Sequence, residues 1–168
     1  MSAGRSRGQA QDYSLAPEHP FPAAGLDASA TPGGLIADGA RAIAITGDSA
    51  GGNLALALLS SATARALASS RRIAGAVVLS PITDLTLGGT SWADRAQADP
   101  FFLKDQAQGL IDSSLAGHDA IDPAASPLFA DPTTGLPPSG FMWATPRCCL
   151  RTPFVTRNAR RCGRRRQG

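Results

Sequence analysis

Two short apolar runs set the pattern of the chain: Ala42-Ile43-Ala44-Ile45-Thr46 and Gly75-Ala76-Val77-Val78-Leu79. Each is continuous rather than alternating, as in a strand buried on both faces. The first stops at Gly47 and the second at Pro81. Between them Ala50–Leu67 is rich in Ala and Leu, with few breakers after Gly52. That composition predicts a helix of about eighteen residues, apolar on most sides and therefore largely buried. Strand, helix and strand in this order form a βαβ unit, whose parallel strands need cover on both faces. From Thr86 to Pro138 the chain is more polar. Helices are predicted near Ser91–Ala98 and Lys104–Leu115, divided by the turn signals Asp99-Pro100 and Asp122-Pro123. No internal repeat is found.

The 168 residues suffice for one modest α/β domain, and an apolar content of 43% fits a folded core. No run approaches membrane-spanning length, so no membrane partner is expected. The polar stretch Met1–Gln11 lacks the apolar centre of a secretory signal, which makes a cytoplasmic location the expectation. Charge is unevenly spread. All 13 acidic residues precede Arg147, whereas 8 of the 16 basic residues, all arginine, lie in 147–168 together with all 3 cysteines. The chain is therefore read as a domain over residues 1–138 and an arginine-rich, disordered tail over 139–168.

The chemistry lies where the first strand meets the helix, at Gly47-Asp48-Ser49-Ala50-Gly51-Gly52. Gly-x-Ser-x-Gly is uninformative alone in a chain with 18 glycines, but the strand before it and the helix after it supply the context. A serine at so sharp a turn takes strained backbone angles, tolerable only between very small neighbours, hence glycine on either side. The turn raises the hydroxyl above the sheet. The backbone N–H of Ala50, at the helix N-terminus, then faces the position of a developing oxyanion. A merely structural or phosphate-binding glycine turn is the competing reading.

Asp12-Tyr13-Ser14-Leu15-Ala16-Pro17-Glu18 resembles the Asp-Tyr-Arg-Leu-Ala-Pro-Glu segment of hormone-sensitive-lipase-like esterases, with Ser14 in place of the arginine. Gly47–Asn53 matches that family's Gly-Asp-Ser-Ala-Gly-Gly-Asn. Leu79–Thr86, Ala98–Phe102 and Ala125–Asp131 through Gly135–Pro138 are similar to its acetyl-hydrolase and lactone-hydrolase branch. The resemblance covers roughly residues 12–138. It implies an α/β-hydrolase fold, here an incomplete core, and hydrolysis of small acyl esters or lactones without a cofactor or metal. In such an enzyme Ser49 attacks the acyl carbon, a histidine takes its proton, and the oxyanion rests on Ala50 N–H and a glycine loop.

The departures bear on activity. The family's His-Gly-Gly-Gly oxyanion loop precedes the Asp-Tyr segment, and the residues before Asp12 do not form it. One lost oxyanion donor costs about 2.7–4 kcal/mol in comparable enzymes. The acid and the histidine should follow Pro138, where this sequence has neither. Without a base Ser49 is an ordinary alcohol, so the chain is expected to be inactive although its lineage is esterolytic. Asp84 and His118 keep the required order for a substitute acid and base. The favoured readings are nevertheless a loop-bonding role for Asp84 and a polar loop position for His118. His19 is placed in a proline-rich turn.

Arg160-Arg161 and Arg164-Arg165-Arg166 could neutralise phosphates, which gives a non-catalytic, nucleic-acid-binding protein as the alternative of another class. A solvated end is the simpler account. A third account comes from the genetic code. Shifting the frame turns Phe141–Ala144 into His or Tyr, Val, Gly and then optionally Asp, which is similar to the family's strand leading to its catalytic acid. On this account the tail is an out-of-frame translation after about Pro138, and nucleic acid is not a true partner. Cys148, Cys149 and Cys162 lack a partnering histidine and make a poor zinc site. The sequence leaves the oligomeric state open.

Overall fold

A parallel sheet, three-stranded among the described residues and flanked by helices, positions the Ser49 turn. The computed structural model describes residues 7–61, 66, 72–94, 103–131 and 139–142. In chain order these form α1 (Ala23–Ala37), β1 (Ile43–Asp48), α2 (Ala50–Ser60), β2 (Ile73–Leu79), α3 (Ser91–Asp94), α4 (Lys104–Leu115), a 3-10 turn (Pro127–Phe129) and β3 (Ser139–Met142). The strand order is β1-β2-β3, with both neighbouring pairs parallel. Thr46 pairs with Val77 and Asp48 with Leu79, and Leu79 in turn with Met142. The βαβ unit expected from the two apolar runs is thus β1-α2-β2.

The main core lies between α2 and one face of the sheet. Ala55, Leu56, Leu58 and Leu59 of α2 meet Ile73, Ala76 and Val78 of β2, with Ile45 of β1 partly buried beside them. Leu59 and Val78 are each 1% exposed, and complete burial of such a side chain contributes about 1.5–3 kcal/mol. A second cluster joins Leu87, Trp92, Ile111, Leu115 and Ala125, with Phe21 and Leu85 against it. It lies around the loops that follow β2 and α4.

Four differences from the sequence reading have physical causes. First, the strands are not buried on both faces. Ala44, Thr46 and Ala74 are exposed and Val77 is 47% exposed, because among the described residues α2 covers only the opposite face. Second, α2 ends at Ser60 rather than Leu67, and Ser61 is already extended at ψ 156°. The Ser60 hydroxyl donates back to Leu56 O at 3.0 Å, a local bond that competes with helix continuation. Residues 62–65 and 67 of the expected helix lie outside the described residues.

Third, α1 was not foreseen. It contains Pro32, Gly25, Gly33 and Gly34, residues with little helical preference. Tertiary contacts stabilise it instead. Pro32 is buried, α1 packs on α2, and Asp27 accepts the Ser14 N–H at 2.8 Å. Fourth, the sheet continues through β3 to Met142, past the domain boundary expected at Pro138. The remaining tail, residues 143–168, lies outside the described residues. Of the expected helix Ser91–Ala98, Ser91–Asp94 is observed and the rest is outside them, whereas α4 has the expected bounds. No described helix is long and apolar enough to cross a membrane.

Candidate active site

β1 ends at Asp48 and α2 begins at Ala50, so Ser49 alone makes the turn. Its φ of 53° and ψ of −114° lie where a side chain is strained, at a cost of about 1–3 kcal/mol. Neighbouring backbone holds it there. Ser49 N–H donates to Leu79 O at 3.0 Å, and the Ser49 carbonyl accepts from Asn53 N–H at 3.1 Å and Ile82 N–H at 3.3 Å.

The glycines around it do different things. A Cβ on Gly47 would collide with the Gly51 carbonyl, and one on Gly52 would come within 2.9 Å of Pro81 Cβ. A Cβ on Gly51 would meet nothing within 4 Å. The first turn of α2 therefore crosses directly over the end of β1 and against Pro81. Gly47 and Gly52 are the sterically required pair, rather than the Gly47 and Gly51 that flank Ser49 in the motif. Asp48 and Ala50 are both exposed at the turn. Ala50, as the first residue of α2, has a backbone N–H with no intrahelical partner.

Ser49 and Ala50 border a cavity of about 420 Å³. Most of its lining is apolar, including Phe21, Leu85, Leu87, Trp92 and Ile111. Tyr13, Ser14, His19, Asn53, Ser80 and Ser114 add polar atoms. Among the described residues the Ser49 side chain makes no capping hydrogen bond to α2, and no hydrogen bond joins it to either histidine.

The other sequence candidates make hydrogen bonds elsewhere. Asp84 Oδ1 accepts from Thr86 N–H at 2.8 Å and from Thr86 Oγ1 at 2.6 Å, which commits that carboxylate to its own loop. His118 Nε2 lies 2.7 Å from Asp122 Oδ2, and its ring stacks 4.3 Å from Phe21 at a 32° tilt. The bond to His118, helped by the Ala124 N–H, holds the Asp122 carboxyl below the ordinary carboxylate range. His118 is not among the cavity-lining residues, although His19 is. Among the described residues no hydrogen bond joins Ser49, Asp84 and His118. His19 sits in a turn closed by its N–H to Leu15 O at 2.9 Å.

Asn53 carries a role that its place in the motif did not disclose. Its side-chain amide donates to Ile82 O at 2.7 Å and to Ala125 O at 2.9 Å, so both amide hydrogens are used. One residue of α2 thus ties together the loop after β2 and the loop before the 3-10 turn. Ser126, fully buried, accepts the Leu85 N–H at 2.8 Å and joins the same loops from the other side. Among the described residues no group of three His, Cys, Asp or Glu side chains is placed to hold a metal ion.

Residues 9–152 match the sequence pattern of the alpha/beta hydrolase fold family. An acetyl-hydrolase of Streptomyces hygroscopicus is 38% identical over 128 residues, 75% of this chain and 42% of that protein. An esterase of Acinetobacter venetianus is 39% identical over 133 residues, 76% of this chain and 42% of that protein. A crystal structure of a hormone-sensitive lipase from a metagenome library aligns with a TM-score of 0.71 at 37% identity, covering 83% of this chain and 47% of that one. The chain thus spans less than half the length of these relatives.

Proposed function

The chain belongs to the alpha/beta hydrolase fold family, in its hormone-sensitive-lipase-like branch, and on that premise we propose that Ser49 is the nucleophile toward small acyl esters or lactones. The observation that carries this reading is the strained turn itself, set at the border of an apolar cavity of about 420 Å³. A serine held at φ 53° by three backbone hydrogen bonds is over-determined, and such strain is characteristic of functional positions. In this reading Ser49 Oγ forms a bond to the acyl carbon as its proton passes to solvent, the carbonyl π electrons move to the oxygen beside Ala50 N–H, and their return breaks the ester C–O bond, releasing the alcohol and leaving the acyl group on Ser49. The acetyl-hydrolase and esterase relatives support the acyl-ester class.

The Ser49 proton needs an acceptor, and among the described residues neither histidine is hydrogen-bonded to Ser49. His118 is paired with Asp122, and no hydrogen bond joins Ser49 to His19. The 168-residue polypeptide by itself is therefore a slow acylation target and not a turnover catalyst. Oxyanion donors and binding alone leave residual catalysis of about 10³–10⁴ over water in related serine chemistry. The test is a fluorophosphonate probe with peptide mapping, run beside p-nitrophenyl acetate hydrolysis. Preferential labelling of Ser49, absent in Ser49→Ala, with hydrolysis no faster than that variant, is the expected result. Labelling spread evenly over the serines overturns the nucleophile assignment. Ser49-dependent multiple turnover overturns the assigned lack of a base.

A further inference from the structure

β1 and β2 leave their ladder side by side. Asp48 and Leu79 are the last partners in register, and the next residue of each strand is a serine, Ser49 and Ser80. Both turn at positive φ, 53° and 41°, and both line the same cavity. No other described serine has a positive φ.

Ser80 is the more strained of the two by its sequence. A Cβ disfavours positive φ, and a following proline drives the residue before it toward extended angles. Ser80 precedes Pro81 and meets both penalties. The bonds around it show what the turn achieves. Ser49 N–H donates to Leu79 O at 3.0 Å, and Ile82 N–H donates to Ser49 O at 3.3 Å. Residues 79 and 82 thus grip Ser49 from its two sides, with only Ser80 and Pro81 between them. Three extended steps would carry Ile82 about 10 Å onward, and the reversal at Ser80 brings it back instead.

The rest of the turn is welded to the start of α2. Pro81 is fully buried, so near Gly52 that a Cβ there would lie 2.9 Å from Pro81 Cβ. Asn53 holds Ile82 by its carbonyl at 2.7 Å. Strain at Ser80 and strain at Ser49 are therefore maintained by one shared set of bonds.

We propose that Ser80 is a positioning residue for Ser49, and that its positive-φ turn, rather than its hydroxyl, sets the direction in which Ser49 Oγ meets an acyl carbon. The proposal rests on the reading of Ser49 as the nucleophile. A displacement of about 1 Å at a reacting group costs on the order of 10²-fold in rate, so a turn that fixes Ser49 governs its reactivity without forming or breaking a bond itself.

The experiment sets backbone preference against the hydroxyl in the full 168-residue chain. Ser80→Thr keeps the hydroxyl, but its β-branch opposes φ 41°. Ser80→Gly removes the hydroxyl and suits that angle. Each variant, folded by circular dichroism, is titrated with a fluorophosphonate to separate the limiting rate of Ser49 labelling from the half-saturating concentration. Threonine should lower the limiting rate by about tenfold to 10²-fold with half-saturation little changed. Glycine should keep the rate near that of wild type. The NMR coupling across the bond from Ser49 N–H to Leu79 O should weaken with threonine and persist with glycine. A merely structural role would lower the melting temperature of the threonine variant and leave the rate of its folded molecules alone.

A folded threonine variant at the wild-type rate overturns the proposal. So does a folded glycine variant with a reduced rate, an outcome that decides the matter alone if threonine prevents folding. Wild type unlabelled at Ser49 sinks the nucleophile reading instead, and the coupling to Leu79 then decides whether Ser80 positions Ser49.

Discussion

The Asn53 side-chain amide donates to the carbonyl of Ala125, 72 positions further along the chain, at 2.9 Å. Its other hydrogen reaches Ile82 O at 2.7 Å. Asn53→Ala leaves two partly buried carbonyls unpaired, at about 1–3 kcal/mol for each that water cannot reach. Asn53→Asp is expected to be worse than Ala, because it sets a carboxylate against two acceptors. Urea unfolding midpoints in the order wild type, Ala, Asp would bear this out. An aspartate variant as stable as wild type would count against the bridge.

The glycines of the turn should separate cleanly. Gly51→Ala adds a Cβ into open space within α2 and should stabilise by up to about 1 kcal/mol through helix propensity. Gly47→Ala and Gly52→Ala force Cβ against Gly51 backbone and Pro81, and should each cost about 1–3 kcal/mol or more. Thermal unfolding of the three single variants checks the order. Equal effects at Gly51 and Gly52 would contradict the crossing geometry.

These two cases mark how far the sequence could be read. The strand–turn–helix around Ser49 was legible because its signals are local: an apolar run, a small-residue turn and an Ala/Leu-rich stretch. The bounds of α4 were legible too, between the turn signals Asp99-Pro100 and Asp122-Pro123, and the structure closes the helix at Ala116-Gly117 in left-handed geometry at φ 48° and 89°. The difference between Gly51 and Gly52 was not, since it depends on Pro81 approaching from another segment. Asn53 could be matched to a motif, but its two acceptors lie 29 and 72 positions away. Helix α1 was hidden because Pro32 and three glycines argue against it locally, and its support comes from α2 and Ser14. The partial exposure of β2 was illegible for a like reason, because an apolar run does not say how many of its faces find a partner.

Asp122 should respond to pH in a defined direction. Its folded-state carboxyl titrates below the usual range, chiefly through His118 and then through the Ala124 N–H. The stabilisation is therefore fully present above the ordinary aspartate value of about 3.9 and is lost as pH falls through the depressed value. Carbon-detected NMR titration should show Asp122 protonating at lower pH than an unperturbed aspartate. In His118→Ala it should move back toward the ordinary value without reaching it, because Ala124 N–H still donates. No movement in that variant would mean that the 2.7 Å contact has no electrostatic consequence.

Val77 and Val78 are neighbours in sequence with opposite surroundings. Val78 is 1% exposed under α2, whereas Val77 is 47% exposed on the face that the described elements leave open. Val78→Thr buries a hydroxyl in an apolar cluster and should cost about 1–3 kcal/mol. The same exchange at Val77 keeps a β-branched side chain on a surface position and should stay within about 0.5 kcal/mol. The two variants also bear on self-association, since an open apolar sheet face invites contact with other copies. Val77→Lys should raise the concentration at which light scattering begins, with little change in the unfolding midpoint. A large loss of stability in Val77→Thr would show that this face is covered after all.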